Sequence, residues 1–125
     1  MNRTVVTTHR VFPETAELLR PLGRVCSPDG ERFADDELRT LLADAHAAMI
    51  FMPDRVDTGF LERAPRMSII AAALKGFDNI DIEACTARNV WVSIVPDLLT
   101  APTAELAVGM MIGLARHMRA ADDFV

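Results

Sequence analysis

An α/β fold built on an open parallel sheet is what this sequence predicts, and three observations predict it. Short apolar runs alternate along the chain with amphipathic stretches, the pattern of repeated strand–helix–strand units. The clearest of these runs, Ala47-Ala48-Met49-Ile50-Phe51-Met52 and Ile69-Ile70-Ala71-Ala72-Ala73-Leu74, carry no polar alternation. Strands covered on both faces read this way. The chain has 125 residues, 50% of them apolar and 25% charged, which suffices for one domain with its own core.

Each element follows from local chemistry. Val5-Val6-Thr7-Thr8 is β-branched throughout and reads as a first strand. Pro13 opens a helix over 13–19, since a proline in the first turn gives up an N–H that had no partner. Gly23 closes that stretch, and Arg24-Val25-Cys26 is a weak second strand. Asp35-Asp36-Glu37 places negative charge where a helix dipole favours it and predicts a helix over 35–45. The third strand, 47–52, is ended by Pro53, and a short helix over 56–64 is followed by Pro65. A fourth strand covers 67–74, the polar turn Lys75-Gly76-Phe77-Asp78-Asn79 follows it, and a helix covers 81–88. The fifth strand, 90–95, stops at Pro96, and a last helix runs over 103–125. Together these make a flavodoxin-like open parallel sheet of about five strands, with helices on both faces and a long C-terminal connecting helix. The expected division is a domain over 1–100 and the connecting helix over 101–125.

That last helix is apolar on every side over 106–115. Such a helix has to be covered all round, so one sheet does not suffice and a second domain or subunit is expected against it. Gly109 and Gly113 lie four apart and would admit a neighbouring backbone.

Charge and composition exclude several roles. The net charge is −5, from 18 acidic and 13 basic residues, so nothing draws the chain toward nucleic acid or an anionic membrane surface. The apolar stretch 106–115 is too short for a membrane span, and the N-terminus has no signal-peptide core. Cys26 and Cys85 lack metal or disulfide-framework spacing, and His9, His46 and His117 are scattered, so no metal site is expected. A cytoplasmic location follows as the expectation.

Ligands of open parallel sheets gather outside the carboxyl ends of the strands. The residues there are Thr8-His9-Arg10, Met52-Pro53-Asp54-Arg55, Lys75 to Asn79, and Pro96 to Thr100. Lys75 beside Gly76 is the most suggestive pair, because a cation next to bare N–H donors suits a small oxyanion. The same spacing equally fits a solvated surface lysine. Asp78 and Asp81 read as an acid–base pair or as a turn and a helix cap. No dinucleotide fingerprint, phosphate loop, nucleophile elbow or zinc motif occurs. No catalytic constellation is complete within the chain.

Lys75-Gly76-Phe77-Asp78-Asn79-Ile80-Asp81, then Ala84, Val90-Trp91-Val92, Pro96 and Thr103-Ala104-Glu105-Leu106-Ala107, resemble the substrate-domain signature of the D-2-hydroxyacid dehydrogenases. Longer runs, among them Phe51 to Asp57, Ala73 to Asn79 and Val95 to Thr100, look like the phosphonate (phosphite) dehydrogenase branch of that family. Leu74 stands where the family usually has a first glycine, and Val95-Pro96-Asp97 replaces its usual Asn-x-Pro. The resemblance implies an NAD-dependent oxidoreductase taking a small anion, phosphite or a 2-hydroxy acid. Lys75 and Gly76 would hold the substrate, Met52 and Leu99 would shape the pocket, and Thr103 would face the nicotinamide. It further implies a Rossmann domain and acid–base residues outside these 125 positions, a homodimer that uses the 103–125 helix, and no activity in this stretch alone. The alternative of a non-catalytic flavodoxin-like binding module is weakened by Thr8-His9-Arg10, where a receiver would need an acidic pair for Mg²⁺.

Overall fold

A computed structural model describes residues 3–124. Two compact units divide the chain, Met1–Val95 and Pro96–Val125.

The first unit is the expected sheet. Its strands are β1 (Thr4–Thr7), β2 (Arg24–Cys26), β3 (Ala47–Ile50), β4 (Ile69–Ala72) and β5 (Trp91–Ser93), in the order β2-β1-β3-β4-β5. All neighbours are parallel, with Val5 opposite Val25 and Ala47, and Ile70 opposite Ala48 and Val92. The direction of winding reverses between β1 and β3, and an open α/β sheet forms its ligand crevice at such a point. The helices are α1 (Pro13–Leu19), α2 (Asp35–Ala43), α3 (Thr58–Glu62) and α4 (Ile82–Ala87). Asp57 caps α3 by accepting from Phe60 N at 2.9 Å, and Asp81 caps α4 by accepting from Ala84 N at 2.8 Å. Each such cap is worth about 1 kcal/mol.

The core lies between sheet and helices. Leu42, Ile50, Leu61 and Ile70 are its largest fully buried side chains, each contributing about 2 kcal/mol through apolar area removed from water. Among the described residues, Thr7 Oγ1 is a buried side-chain polar atom with no hydrogen-bond partner. A buried hydroxyl left unpaired costs about 1–3 kcal/mol, and valine has nearly its shape without that cost. Thr7→Val is therefore expected to raise the urea midpoint of unfolding, by an amount equivalent to about 1 kcal/mol. An unchanged or lower midpoint would show that the hydroxyl is satisfied in solution.

Several boundaries differ from the sequence expectation, each for a physical reason. The third strand ends at Ile50 rather than at residue 52, because Phe51 N donates to the Asp54 carboxylate at 2.7 Å instead of joining the ladder. The helix expected over 56–64 shrinks to Thr58–Glu62. Val56 uses its N–H on Asn79 O at 2.9 Å and its carbonyl on Asp81 N at 2.8 Å, forming a parallel bridge with Ile80.

In the second unit, the single helix over 103–125 is not what forms. It begins earlier, as α5 (Thr100–Ala115), then breaks at His117, and α6 (Met118–Asp122) follows. Pro102 falls in the first turn of α5, where a missing N–H loses nothing. Arg116 N still reaches Ile112 O, but His117 N turns to Leu114 O and His117 adopts φ 51°, ψ 37°. That left-handed residue ends the ladder. Taken by itself, α5 buries none of its residues. No helix among the described residues is long and apolar enough to cross a membrane.

Candidate functional site

Because all five strands run the same way, the segments that follow them share one rim. The β1 end supplies Thr8 and His9, the β3 end supplies Phe51 to Arg55, and the β4 end supplies Ala73 to Asn79. These meet at the switch point between β1 and β3.

Asp54 is the centre of the meeting. Its Oδ2 accepts from Phe51 N at 2.7 Å and from the Thr8 hydroxyl. Asp54 N in turn donates to Phe51 O at 3.0 Å, so a tight turn closes with Met52 and Pro53 at its tip. His9 Nδ1 lies 3.1 Å from Thr8 Oγ1 and 3.7 Å from Asp54 Oδ2, and its ring meets Phe51 edge-on at 5.4 Å. Thr8 has one proton to give, and the bond to a carboxylate is the stronger use of it. His9 Nδ1 is then the donor to Thr8 Oγ1. Asn79 Nδ2 donates to the carbonyl of Asp54 at 2.7 Å, which ties the β4 loop to the β3 turn.

Three of the residues singled out in the sequence stand on this rim. Met52 is exposed at the turn tip, and Lys75 and Gly76 are exposed on the loop after β4. The fold does not itself demand a glycine at position 76. Its backbone is not left-handed, and an added Cβ would meet only Asp78 Oδ2, at an ordinary 3.5 Å. Leu99 and Thr103 belong to the second unit, Leu99 as the residue preceding α5 and Thr103 within it, both exposed. Asp81 is a helix cap. Among the described residues no group of His, Cys, Asp and Glu side chains is placed to hold a metal ion.

Sequence reasoning passed over Thr8, His9, Asp54 and Asn79 as a cluster. Position is the signal that could have found the first three, polar residues directly after the two strands that flank the winding reversal; Asn79 follows β4 and carries no such signal. These residues do not fit a dinucleotide. A pyrophosphate turn needs glycines at the end of β1, and the residue there is Thr8, buried and bonded to Asp54.

A separate apolar hollow of about 530 Å³ runs along β5 and α4, with Phe77, Ile82, Cys85, Trp91 and Val92 in its lining. Burial, and after it the negative charge of Asp81, push the Cys85 thiol above its ordinary value. Its lining is mainly apolar and carries no charged side chain, so it does not resemble a seat for a small anion.

Residues 5–121 match the model of the D-isomer specific 2-hydroxyacid dehydrogenase catalytic domain. Over 124 residues the chain is 37% identical to a glyoxylate reductase of Aeropyrum pernix, covering 97% of this chain and 36% of that protein. A solved protein of Thermus thermophilus superposes with a TM-score of 0.86 at 25% identity, over 97% of this chain and 39% of that one. A 3-phosphoglycerate dehydrogenase of Entamoeba histolytica, solved with NAD⁺ bound, shares the fold with a TM-score of 0.73 at 23% identity, over 90% of this chain and 39% of its own. The chain thus spans little more than a third of the length of such relatives.

Proposed function

The chain belongs to the D-isomer specific 2-hydroxyacid dehydrogenase family through its catalytic domain, and from that premise we propose that it forms the substrate-binding part of an NAD-dependent oxidoreductase for a small 2-hydroxy or 2-oxo acid. The observation that carries this reading is the loop Lys75-Gly76, exposed on the carboxyl rim beside the switch point, with a glycine that the backbone does not require. A carboxylate placed there would meet an ammonium and the peptide N–H groups of the turn, while Met52 would give the pocket an apolar wall. At about 4 Å an ion pair is worth about 4 kcal/mol at an effective dielectric of 20, before desolvation is subtracted. The cofactor, NAD or NADP, would be held mainly by residues beyond these 125, with Thr103 facing its nicotinamide end. The acid–base groups would likewise come from elsewhere in the enzyme, so this domain seats and orients the substrate and does not convert it alone.

A second reading is favoured by one feature of the same loop. Lys75 follows Leu74, where relatives of the general type usually begin a Gly-x-Gly turn, and the added cation suits a dianion better than a monoanion. On that reading the substrate is phosphite, whose P–H hydride passes to NAD⁺ while water supplies the new P–O bond and releases a proton, giving phosphate and NADH. The all-round apolar α5 supports, in either case, assembly through the second unit into a homodimer.

Substrate competition decides between the two. The dehydrogenase carrying this chain, assayed with glyoxylate plus NADH and with phosphite plus NAD⁺, is expected to turn over glyoxylate with the higher kcat/KM. A higher value for phosphite would establish the second reading. Turnover of neither, nor of any other 2-oxo acid, would overturn both.

A further inference from the structure

We infer that Asp54 is a positioning residue for the anion-binding loop: it locks the arch carrying Lys75 and Gly76 onto the turn carrying Met52. The inference rests on the reading of that arch as the substrate seat, and extends it to a residue that touches no substrate.

The arch has two feet, and both stand on β3 or its turn. At one foot Ala73 N donates to Ile50 O at 2.9 Å. At the other, Asn79 Nδ2 donates to Asp54 O at 2.7 Å, and Val56 N donates back to Asn79 O at 2.9 Å. Between them Leu74 O accepts from Val95 N at 2.8 Å, which fixes the near half of the arch to the far side of β4. The position of Lys75 relative to Met52 therefore depends on where the Asp54 carbonyl points.

That carbonyl is oriented by its own side chain. Asp54 carboxylate closes the Phe51–Asp54 turn through Phe51 N and is anchored to β1 through the Thr8 hydroxyl. With the side chain only 14% exposed, water competes poorly for these bonds, and each is charge-assisted. Removing the carboxylate frees the turn from β1 and lets the Asn79 foot shift with it. A shift of about 1 Å at a binding group is enough to be felt strongly in substrate recognition.

The test compares four variants of the dehydrogenase carrying this chain, with glyoxylate and phosphite as the anions. Asp54→Ala is expected to raise the KM of the anion about tenfold, with the KM of the nicotinamide cofactor unchanged within about twofold. Asp54→Asn restores most of the loss, because one amide oxygen still accepts from both Phe51 N and Thr8. Asn79→Asp cannot donate to the Asp54 carbonyl and raises the anion KM as Asp54→Ala does. This variant decides the matter should Asp54→Ala fail to fold. Asp54→Ala and Asn79→Asp with an unchanged anion KM, while Lys75→Ala raises it, would overturn the inference and leave the function intact. A parallel rise in both KM values, unrelieved by asparagine, would mean general loosening and would also overturn it. Lys75→Ala without effect would bring down the reading of the loop and the inference with it.

Discussion

Gly23→Ala is expected to destabilise the chain by about 3 kcal/mol or more, lowering the thermal midpoint by roughly 10 °C. Gly23 has φ 148° and ψ −158°, a region open essentially to glycine alone. An added Cβ would lie 2.2 Å from the Arg3 carbonyl oxygen and 2.8 Å from its carbon. Neither backbone can move away cheaply. Arg24 N donates to that same Arg3 oxygen at 2.8 Å, and the register of Thr4 on Arg24 begins there. Relieving the clash means unpairing β2, an edge strand of three residues. Gly30→Ala is the control, since a Cβ there meets nothing within 4 Å and its φ is unexceptional. Surface substitutions of that kind stay within about 0.5 kcal/mol. Circular dichroism during heating of the two variants makes the comparison. Equal midpoints would show that the turn before β2 is not the constrained point the geometry makes it.

All five strands were legible in the sequence, and the third and fourth stood out as uninterrupted apolar runs. The expectation that they are covered on both faces is corrected: Ala47–Ile50 and Ile69–Ala72 each bury one face fully and the other only in part, with Ile69 39% exposed. The ends of those strands were less legible. Where Phe51 leaves the sheet is decided by Asp54, three residues on, and where α3 begins is decided by Asn79 and Asp81, more than twenty residues away. Local pattern contains no trace of such pairing. The break at His117 is similar in kind, since Arg116, His117 and Met118 all tolerate helix and nothing nearby spells a stop. For the site, topology did most of the work: once the strands are parallel, Lys75, Gly76 and Met52 fall on one rim whatever their side chains do. Asp54 and Thr8 stayed hidden because they are 46 positions apart in the chain and bond only when β1 and β3 lie side by side.

Lys75→Ala is the other substitution with a large expected effect, and it acts on binding alone. Lys75 is exposed on the arch, so its loss is expected to weaken binding far more than folding, and the thermal midpoint measured alongside separates the two. A charged hydrogen bond to a bound anion is worth about 1.5–3 kcal/mol, which corresponds to a KM raised between about tenfold and about a hundredfold. Lys75→Arg keeps the charge but spreads it over a planar fork that is a poor substitute for a compact ammonium, so it is expected to fall between alanine and the native residue. Should phosphite be the substrate, the alanine loss lies toward the upper end, because a dianion gains more from the same cation.

The most direct test of the claim that this loop seats the substrate is the anion KM of Lys75→Ala, measured in the dehydrogenase carrying this chain at saturating cofactor. The expected result is a rise of at least about tenfold with the cofactor KM unmoved. An anion KM equal to that of the native enzyme would contradict it and place the substrate elsewhere.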